Sequence, residues 1–506
     1  MPDGGGRAGG SSLYEAQLII DGAGLPCPGA SVFELRGPLT DAVVTRAVAA
    51  RASQARAAAT SAAAAFPAWS ETPPQRRSAI LRDAARLMLE RQSEVVAIAA
   101  QEVGASAEWT RFNVGIAVAM LRQAGEIAMP SAAESSSDLG AAGLMTLRRR
   151  PAGVVLAIAP WNAPVSLATR AVAAPLACGN TVVLKASELC AKTHEWVARA
   201  VIDAGLPPGA LNFVTNAPDH AQEVVGALIE HPAVRRVTFT GSSRVGREIA
   251  VMAAHHLKPC VLELSGKGTA IVLADADLDR AAREVAHGAF FNQGQVCMST
   301  ERVLVEEAVA EPFLAKLVAE ANAQRAATPS QSPLGALVSP GAVARLRGFI
   351  HDAESRGAVV AAGGEALGTL VQPTVIDRVT PDMRLFSEEA FGPIVGVTRV
   401  GDAEEAVSLA NLTEFGLVAS VFSRDEGRAM RMLRQIETGI GHVNRTTVFD
   451  DPTMPFGGVR ASGYGRYGGL EAIHEFTECH ALTTNPAGDA SAGSTDHHHV
   501  NREETT

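Results

Sequence analysis

From Gly153 onward, short apolar runs alternate with stretches of helical periodicity. The run VVLAIA (154–159) precedes 165–177, TVVLKAS (181–187) precedes 191–203, and VRRVTFT (234–240) precedes 244–255. Strand-length runs separated by helix-length amphipathic stretches predict a parallel sheet with covering helices, because a parallel crossover needs the length of a helix. A second α/β series follows Asp275, with VLVE near Val303, an amphipathic stretch over 309–323, and the runs AVVAAGG and PIVGVTRV. Ahead of Gly153 the spacing is helical. There Thr40 and Asp41 are placed to cap a long alanine-rich helix, and 70–74 opens another that carries Ile80, Leu81, Ala84, Leu87 and Met88. A Ser- and Gly-rich stretch over 128–147 ends in MTLRRRP, which reads as an exposed hairpin strand.

A chain of 506 residues, 47% of them hydrophobic, exceeds what one compact core holds, so more than one lobe is expected. The net charge of -10 gives no footing on phosphate backbones or anionic lipid, which argues against nucleic acid or a membrane as partner. The start of the chain lacks a basic segment followed by an apolar core, and the apolar runs are too short to span a bilayer. A cytoplasmic protein is expected. Cys27, Cys178, Cys190, Cys260, Cys297 and Cys479 are scattered without CxxC spacing, which fits neither a disulfide framework nor a zinc site. No metal is expected. The run His497, His498 and His499 reads as part of a polar tail.

Three strand-end groups carry candidate chemistry. Cys297 follows a helical stretch and sits among Asn292, Gln293 and Gln295, where a thiol is a candidate nucleophile rather than an apolar filler. Such a thiol needs a base, an oxyanion donor and a means of releasing its acyl product. Glu263 closes the apolar run VLE beside glycine, and Asn162 closes VVLAIA within PWN. A strand-to-helix turn through Gly241, Ser242 and Gly246 offers free helix amides to a phosphate. Lys185 and Glu188, after TVVLKAS, are placed for ribose hydroxyls. The GxGxxG at Gly463, Gly465 and Gly468 follows a glycine-rich loop rather than a strand and is discounted.

Together these segments resemble the aldehyde dehydrogenase superfamily, in order, from about Leu35 to Leu482. They are PWN (160–162), KASE (185–188), FTGSSRVG (239–246), LELSGKG (262–268), FNQGQVC ending at Cys297, EEAFGP (388–393) and MPFGG (454–458). The resemblance implies that Cys297 attacks an aldehyde, that Asn162 and the Cys297 amide hold the oxyanion, and that Glu263 activates the water that hydrolyses the thioester. It implies NAD contacts at Trp161, Lys185, Glu188, Gly241, Ser242, Gly246, Leu264, Glu389 and Phe391. An acid at 188 accepts ribose hydroxyls and repels a 2′-phosphate, so NAD is expected ahead of NADP, with NADP still possible. Two positions depart from the pattern: Ser265 stands where members usually have glycine, and Gly268-Thr269 replaces a small residue and proline, which is expected to loosen the following strand.

PWNAP, CMSTER and HVNRTTV resemble most the salicylaldehyde, vanillin and benzaldehyde dehydrogenase branch, and Ala163 leaves room for a ring. An aromatic aldehyde is therefore the expected substrate, with Trp109, Phe112, Ala163, Met298, Val448 and Phe456 as candidate walls. The alternatives are a semialdehyde or aliphatic aldehyde dehydrogenase, with Arg111, Arg445 or Arg460 meeting an acid, a cofactor-independent thiol esterase, or a non-catalytic structural protein. The expected fold class is α/β: a Rossmann-type NAD-binding domain (31–130 and 151–264), an α/β catalytic domain (265–458) and a small β bridging element (131–150 and 470–485). A flexible N-terminus (1–30) and a disordered tail (486–506) flank them. The bridging element implies a homodimer or homotetramer.

Overall fold

Val154–Ile158, Thr181–Lys185 and Leu211–Val214 are buried at every position, the burial an apolar strand acquires when helices cover both faces of its sheet. The computed structural model of the chain describes residues 13–27, 29–129, 134–139, 143–327, 332 and 334–484. Those three strands belong to an eight-stranded sheet. Its order is Gly463–Tyr464, Cys260–Glu263, Val234–Thr240, Val154–Ile158, Thr181–Lys185, Leu211–Val214, Leu18–Ile20 and Ala23–Leu25. The five strands from Cys260–Glu263 to Leu211–Val214 run parallel, so their carboxyl ends share one edge. The helices Pro164–Ala177, Ala191–Asp203 and Ser243–His255 lie where the switch of periodicity puts them.

A seven-stranded sheet follows, in the order Val359–Ala362, Thr374–Asp377, Ile394–Val400, Thr300–Glu306, Gly268–Val272, Val418–Phe422 and Ile440–Val443. Alternate side chains of its central strands feed two cores. Ala270, Val272, Val303 and Val305 meet the helices Leu278–Phe290 and Glu307–Ala323, while Ile271, Leu304 and Val421 meet Pro340–Ser355 and its neighbours. A three-stranded sheet of Thr477–Thr484, Leu144–Pro151 and Glu134–Asp138 stands apart, exposed over much of both faces. Among the described residues no helix is long and apolar enough to cross a membrane.

Two expectations for the amino-terminal region are corrected. Residues 14–25 form short strands rather than a flexible terminus. Leu18 and Ile19 are fully buried, and Asp21 donates its backbone N–H to the Asn212 side chain at 3.0 Å. Thr40 and Asp41 do not cap a helix; they lie in the turn between Val32–Arg36 and Val43–Val48, and the alanine-rich helix begins at Ala52. The alternating VVTRAV segment pairs on both sides, and that pairing outweighs the local capping signal. The tail and residues 1–12 lie outside the described residues. Gly463–Tyr464, inside the discounted GxGxxG, is an edge strand against Cys260–Glu263 and opens no helix.

The segment that leads to Cys297 leaves the helix Leu278–Phe290 through Asn292, Gln293 and Gly294, at φ 50°, 55° and 66°. Gly294 is required there, because a Cβ would lie 2.1 Å from the Gly392 carbonyl oxygen. Gly294→Ala is expected to cost about 2 kcal/mol of stability, read as a lower urea midpoint at unchanged slope. An unchanged midpoint would show that this close approach does not constrain the turn.

Candidate active site

The residue that follows a strand at its carboxyl end projects over the sheet edge, and three such positions meet here. Thr240 and Glu263 are register partners at the ends of adjacent strands, and Ile158 leads within four residues to Asn162. Cys297 arrives from the other sheet. The chain crosses between the sheets at Gly266, where a Cβ would stand 2.3 Å from the Cys297 carbonyl oxygen, so this contact also requires glycine. Cys297, Glu263 and Asn162 line one cavity of about 350 Å³, together with Trp161, Gly241, Ser242, Leu264, Glu389 and Phe391.

Glu263 is fully buried, and neither carboxylate oxygen has a hydrogen-bond partner. Burial pushes its pKa up to about 7, offset in part by the Cys297 thiol and the Arg170 guanidinium. The Cys297 thiol is itself held well above its usual range, first by burial and then by the negative charge of Glu263. The resting pair therefore holds protons that must leave before the thiol reacts. Asn162 donates one amide hydrogen from Nδ2 to the Gln295 carbonyl at 3.0 Å. Its backbone carbonyl accepts from Trp109 Nε1 at 3.0 Å and from Asn292 Nδ2 at 3.0 Å. The side chain is thus fixed with its second amide hydrogen still to be used.

The cofactor side fits a dinucleotide. Gly241 opens the turn before the helix Ser243–His255, and a Cβ there would meet the Phe239 ring at 2.5 Å, so backbone rather than side chain faces the cavity. Ser242 caps that helix, its Oγ accepting from the Val245 N–H at 3.4 Å. Gly246 is not part of the lining. Its N–H is committed to the Ser242 carbonyl, and its missing Cβ admits Leu264, which would otherwise lie 2.4 Å away. That close approach packs the helix onto the strand that carries Glu263. Lys185 and Glu188 form a close ion pair at the end of Thr181–Lys185, and Asn216 Nδ2 donates to the same Glu188 oxygen at 2.9 Å. Lys185 and that hydrogen bond draw the Glu188 carboxyl below its usual range despite burial, so it stays ionised. Trp161 meets Phe391 edge to face at 5.7 Å across the cavity. Glu389 accepts from the Gly266 N–H at 2.9 Å.

The six candidate walls fall outside this cavity's lining. Trp109, Ala163, Met298, Val448 and Phe456 are buried in one apolar cluster against which Cys297 packs. Phe112 is 40% exposed and joins them only through its rings' contacts with Trp109 at 5.6 Å and Phe291 at 5.2 Å. Phe456 lies beneath Arg170, whose guanidinium stands 3.8 Å from the ring centroid and pairs with Asp450. Arg445 sits over Phe449 and Arg460 reaches Glu437, and neither Arg111, Arg445 nor Arg460 lines the cavity.

The two departures from the family pattern are accommodated. The Ser265 hydroxyl turns toward Glu389 and with the Gly266 N–H offsets the burial that holds Glu389 at about 7. Thr269, expected to loosen its strand, instead accepts from buried Arg302 through Nη2 at 2.8 Å and Nε at 3.1 Å. Sequence reasoning missed Arg170, Arg345, Lys267 and Glu301. Arg345, which lines the cavity, donates to the Ala390 carbonyl at 2.9 Å. Only Glu301 and Lys267 carried a signal, as members of CMSTER and LELSGKG.

A thiol, a fixed amide and a buried acid beside a glycine-lined helix N-terminus define a nicotinamide-dependent oxidoreductase with cysteine at its centre. A profile described as the Aldehyde dehydrogenase family matches residues 28–482, and the chain belongs to that family, whose members oxidise aldehydes to acids with NAD or NADP. Among its relatives, vanillin dehydrogenase of Pseudomonas fluorescens is 47% identical over 93% of this chain and 98% of that protein. Salicylaldehyde dehydrogenase of Pseudomonas putida is 41% identical over 93% and 98%. A crystal structure of a salicylaldehyde dehydrogenase from Pseudomonas putida G7, complexed with salicylaldehyde, superposes with a TM-score of 0.91 at 39% identity over 94% of this chain and 99% of that one.

Burying Glu263 with its pKa raised from 4.5 to about 7 carries a stability cost with a definite sign. Below the unfolded value both states are protonated and nothing is lost; as pH rises to the folded value the unfolded chain ionises first and the fold is destabilised. Glu263→Gln is therefore expected to be more stable than wild type at pH 8 by about 3 kcal/mol, and so to unfold at a higher temperature. The difference should vanish well below pH 4.5. A gap independent of pH would show that Glu263 is not held protonated by burial.

Proposed function

We propose that this chain oxidises an aromatic aldehyde of the vanillin, salicylaldehyde or benzaldehyde type to its carboxylic acid, with NAD preferred to NADP. The reading rests on one observation: Cys297, Asn162 and Glu263 line the same cavity as the turn at Gly241 and Ser242. Glu263 takes the Cys297 proton, and the thiolate forms a carbon–sulfur bond to the aldehyde carbon. The carbonyl oxygen becomes an oxyanion held by the free Asn162 amide hydrogen and the Cys297 N–H. The nicotinamide cofactor supplies the hydride acceptor. Loss of the aldehyde hydrogen with its electron pair restores the carbonyl as a thioester on Cys297. Glu263 releases its first proton to solvent, then takes one from water as the oxygen attacks the thioester. The carbon–sulfur bond breaks, and the acid leaves with thiolate regenerated.

The candidate walls Trp109, Ala163, Met298, Val448 and Phe456 stay outside that cavity, in the apolar cluster against which Cys297 packs, and Phe112 lies at its exposed margin, so a substrate ring would meet Cys297 from that apolar side. Gly241 and Ser242 face the pyrophosphate, Trp161, Leu264, Glu389 and Phe391 the nicotinamide side, and Lys185 with Glu188 the adenosine ribose. The ionised Glu188 supports NAD, since a 2′-phosphate would meet its charge. Support for an aromatic substrate comes from the named activities of the relatives above. The exposed three-stranded sheet suits a homodimer or homotetramer contact, and cysteines scattered without CxxC spacing suit a cytoplasmic setting.

Absorbance of the reduced nicotinamide, with vanillin, salicylaldehyde, benzaldehyde, hexanal and succinate semialdehyde, tests the reading. Aromatic aldehydes with NAD should give the highest kcat/KM, and Asn162→Ala should lower kcat by about a hundredfold. A lead for succinate semialdehyde would overturn the aromatic assignment, and no turnover with either cofactor would overturn the whole.

A further inference from the structure

Lys267, Glu301 and the loop over 388–391 form a closed, buried network that the reaction chemistry above does not use. Lys267 Nζ donates to Glu301 Oε2 at 2.6 Å and to the Glu388 carbonyl at 2.6 Å. Glu301 accepts in turn from the Ala390 N–H through Oε2 and from the Phe391 N–H through Oε1, both at 2.8 Å. The two charged side chains are 0% and 3% exposed. A buried ion pair is a weak source of stability, because desolvation cancels much of its attraction, so its presence here needs another reason.

The reason lies in what the pair holds. Phe391 has φ 51°, a left-handed conformation that a bulky side chain does not keep unaided, and its own N–H is one of the two that Glu301 grips. Lys267 follows Gly266, whose backbone presses on the Cys297 carbonyl, and Glu301 lies four residues beyond Cys297. The pair therefore ties together the acid-bearing segment, the thiol-bearing segment and the loop that carries Glu389 and Phe391. Lys267 is needed because Glu301 without it would be a lone buried charge.

We propose that Glu301, charge-balanced by Lys267, is a positioning residue: it fixes the 388–391 loop so that Glu389 and Phe391 face Trp161 across the cavity, and thereby sets cofactor binding and hydride transfer while touching neither reactant. This rests on the reading of Glu389 and Phe391 as cofactor contacts. Gln at 301 keeps the size and one acceptor but loses the charge and the second acceptor.

The test compares wild type with Glu301→Gln, using calorimetric titration with NAD, turnover of benzaldehyde with NAD, and alkylation of Cys297 by iodoacetamide without cofactor. NAD affinity or kcat should fall by about tenfold or more while the alkylation rate changes by less than about twofold, since burial and Glu263, the main influences on the thiol, are kept. Glu301→Asp, which keeps the charge, should recover part of the loss. Unchanged affinity and turnover would overturn the proposal, and so would an alkylation rate that changes in step with them, which marks general loosening. If Glu301→Gln does not fold, Lys267→Met combined with Glu301→Gln removes the unpaired ammonium and is read the same way. Absence of wild-type turnover would refute the Cys297 chemistry, while the NAD titration would still decide the role of Glu301.

Discussion

The buried, unpartnered carboxyl of Glu263 is the constraint around which the rest is arranged. A carboxylate buried with little beyond the Cys297 thiol and the Arg170 guanidinium to offset its burial is costly, and the strand Cys260–Glu263 that carries it is locked between neighbours on both sides. That cost is what makes the group useful. A carboxyl at the protein surface would be ionised and weakly basic, whereas one held near neutrality takes and returns protons at physiological pH. The same burial, with the negative charge of Glu263, raises the Cys297 thiol, so the thiol keeps its proton until Glu263 takes it.

Bringing the two together requires a seam between two sheets. Glu263 ends a strand of one, Cys297 precedes a strand of the other, and the chain passes between them through Gly266 with no space for a side chain. Close approaches of this kind fix distance but not orientation. Orientation comes from polar contacts to backbone: Asn162 through Gln295, Gln295 through its side chain to the Val338 N–H at 3.0 Å, and Glu301 through the amides at 390 and 391. The site is therefore built less on side-chain packing than on side chains that seize main-chain groups of a different segment.

That construction explains what was legible in the sequence. The alternation after Gly153 marked the strands and helices of the nucleotide-type sheet to within a residue or two, because fully buried strands and amphipathic helices differ in period. The three-residue strands over 14–25 escaped, since three residues have no period and two of the three also need distant partners, Tyr14–Ala16 in Val43–Val48 and Leu18–Ile20 in Leu211–Val214. Thr40 and Asp41 misled because the residues that cap helices also make turns. At the site, Cys297, Glu263 and Asn162 were legible as polar residues closing apolar runs. The packing of Gly246 against Leu264 was not legible, because a glycine's neighbours cannot be read from its own segment. Lys267 and Glu301 are separated by 34 positions, and nothing local announces that they meet. The apolar candidates around Trp109 look the same in sequence whether they line a substrate or fill a core.

Covalent chemistry at Cys297 is the claim on which the account stands, and it is tested most directly by trapping the acyl-enzyme. Glu263→Gln, incubated with NAD and benzaldehyde at a pH high enough to ionise the Cys297 thiol without Glu263 and quenched in acid, should carry a benzoyl group on the peptide containing Cys297, seen by mass spectrometry, because the thioester, once formed, is not hydrolysed. Reduced cofactor produced in step with free benzoate, with that peptide unmodified in both variant and wild type, would contradict the account.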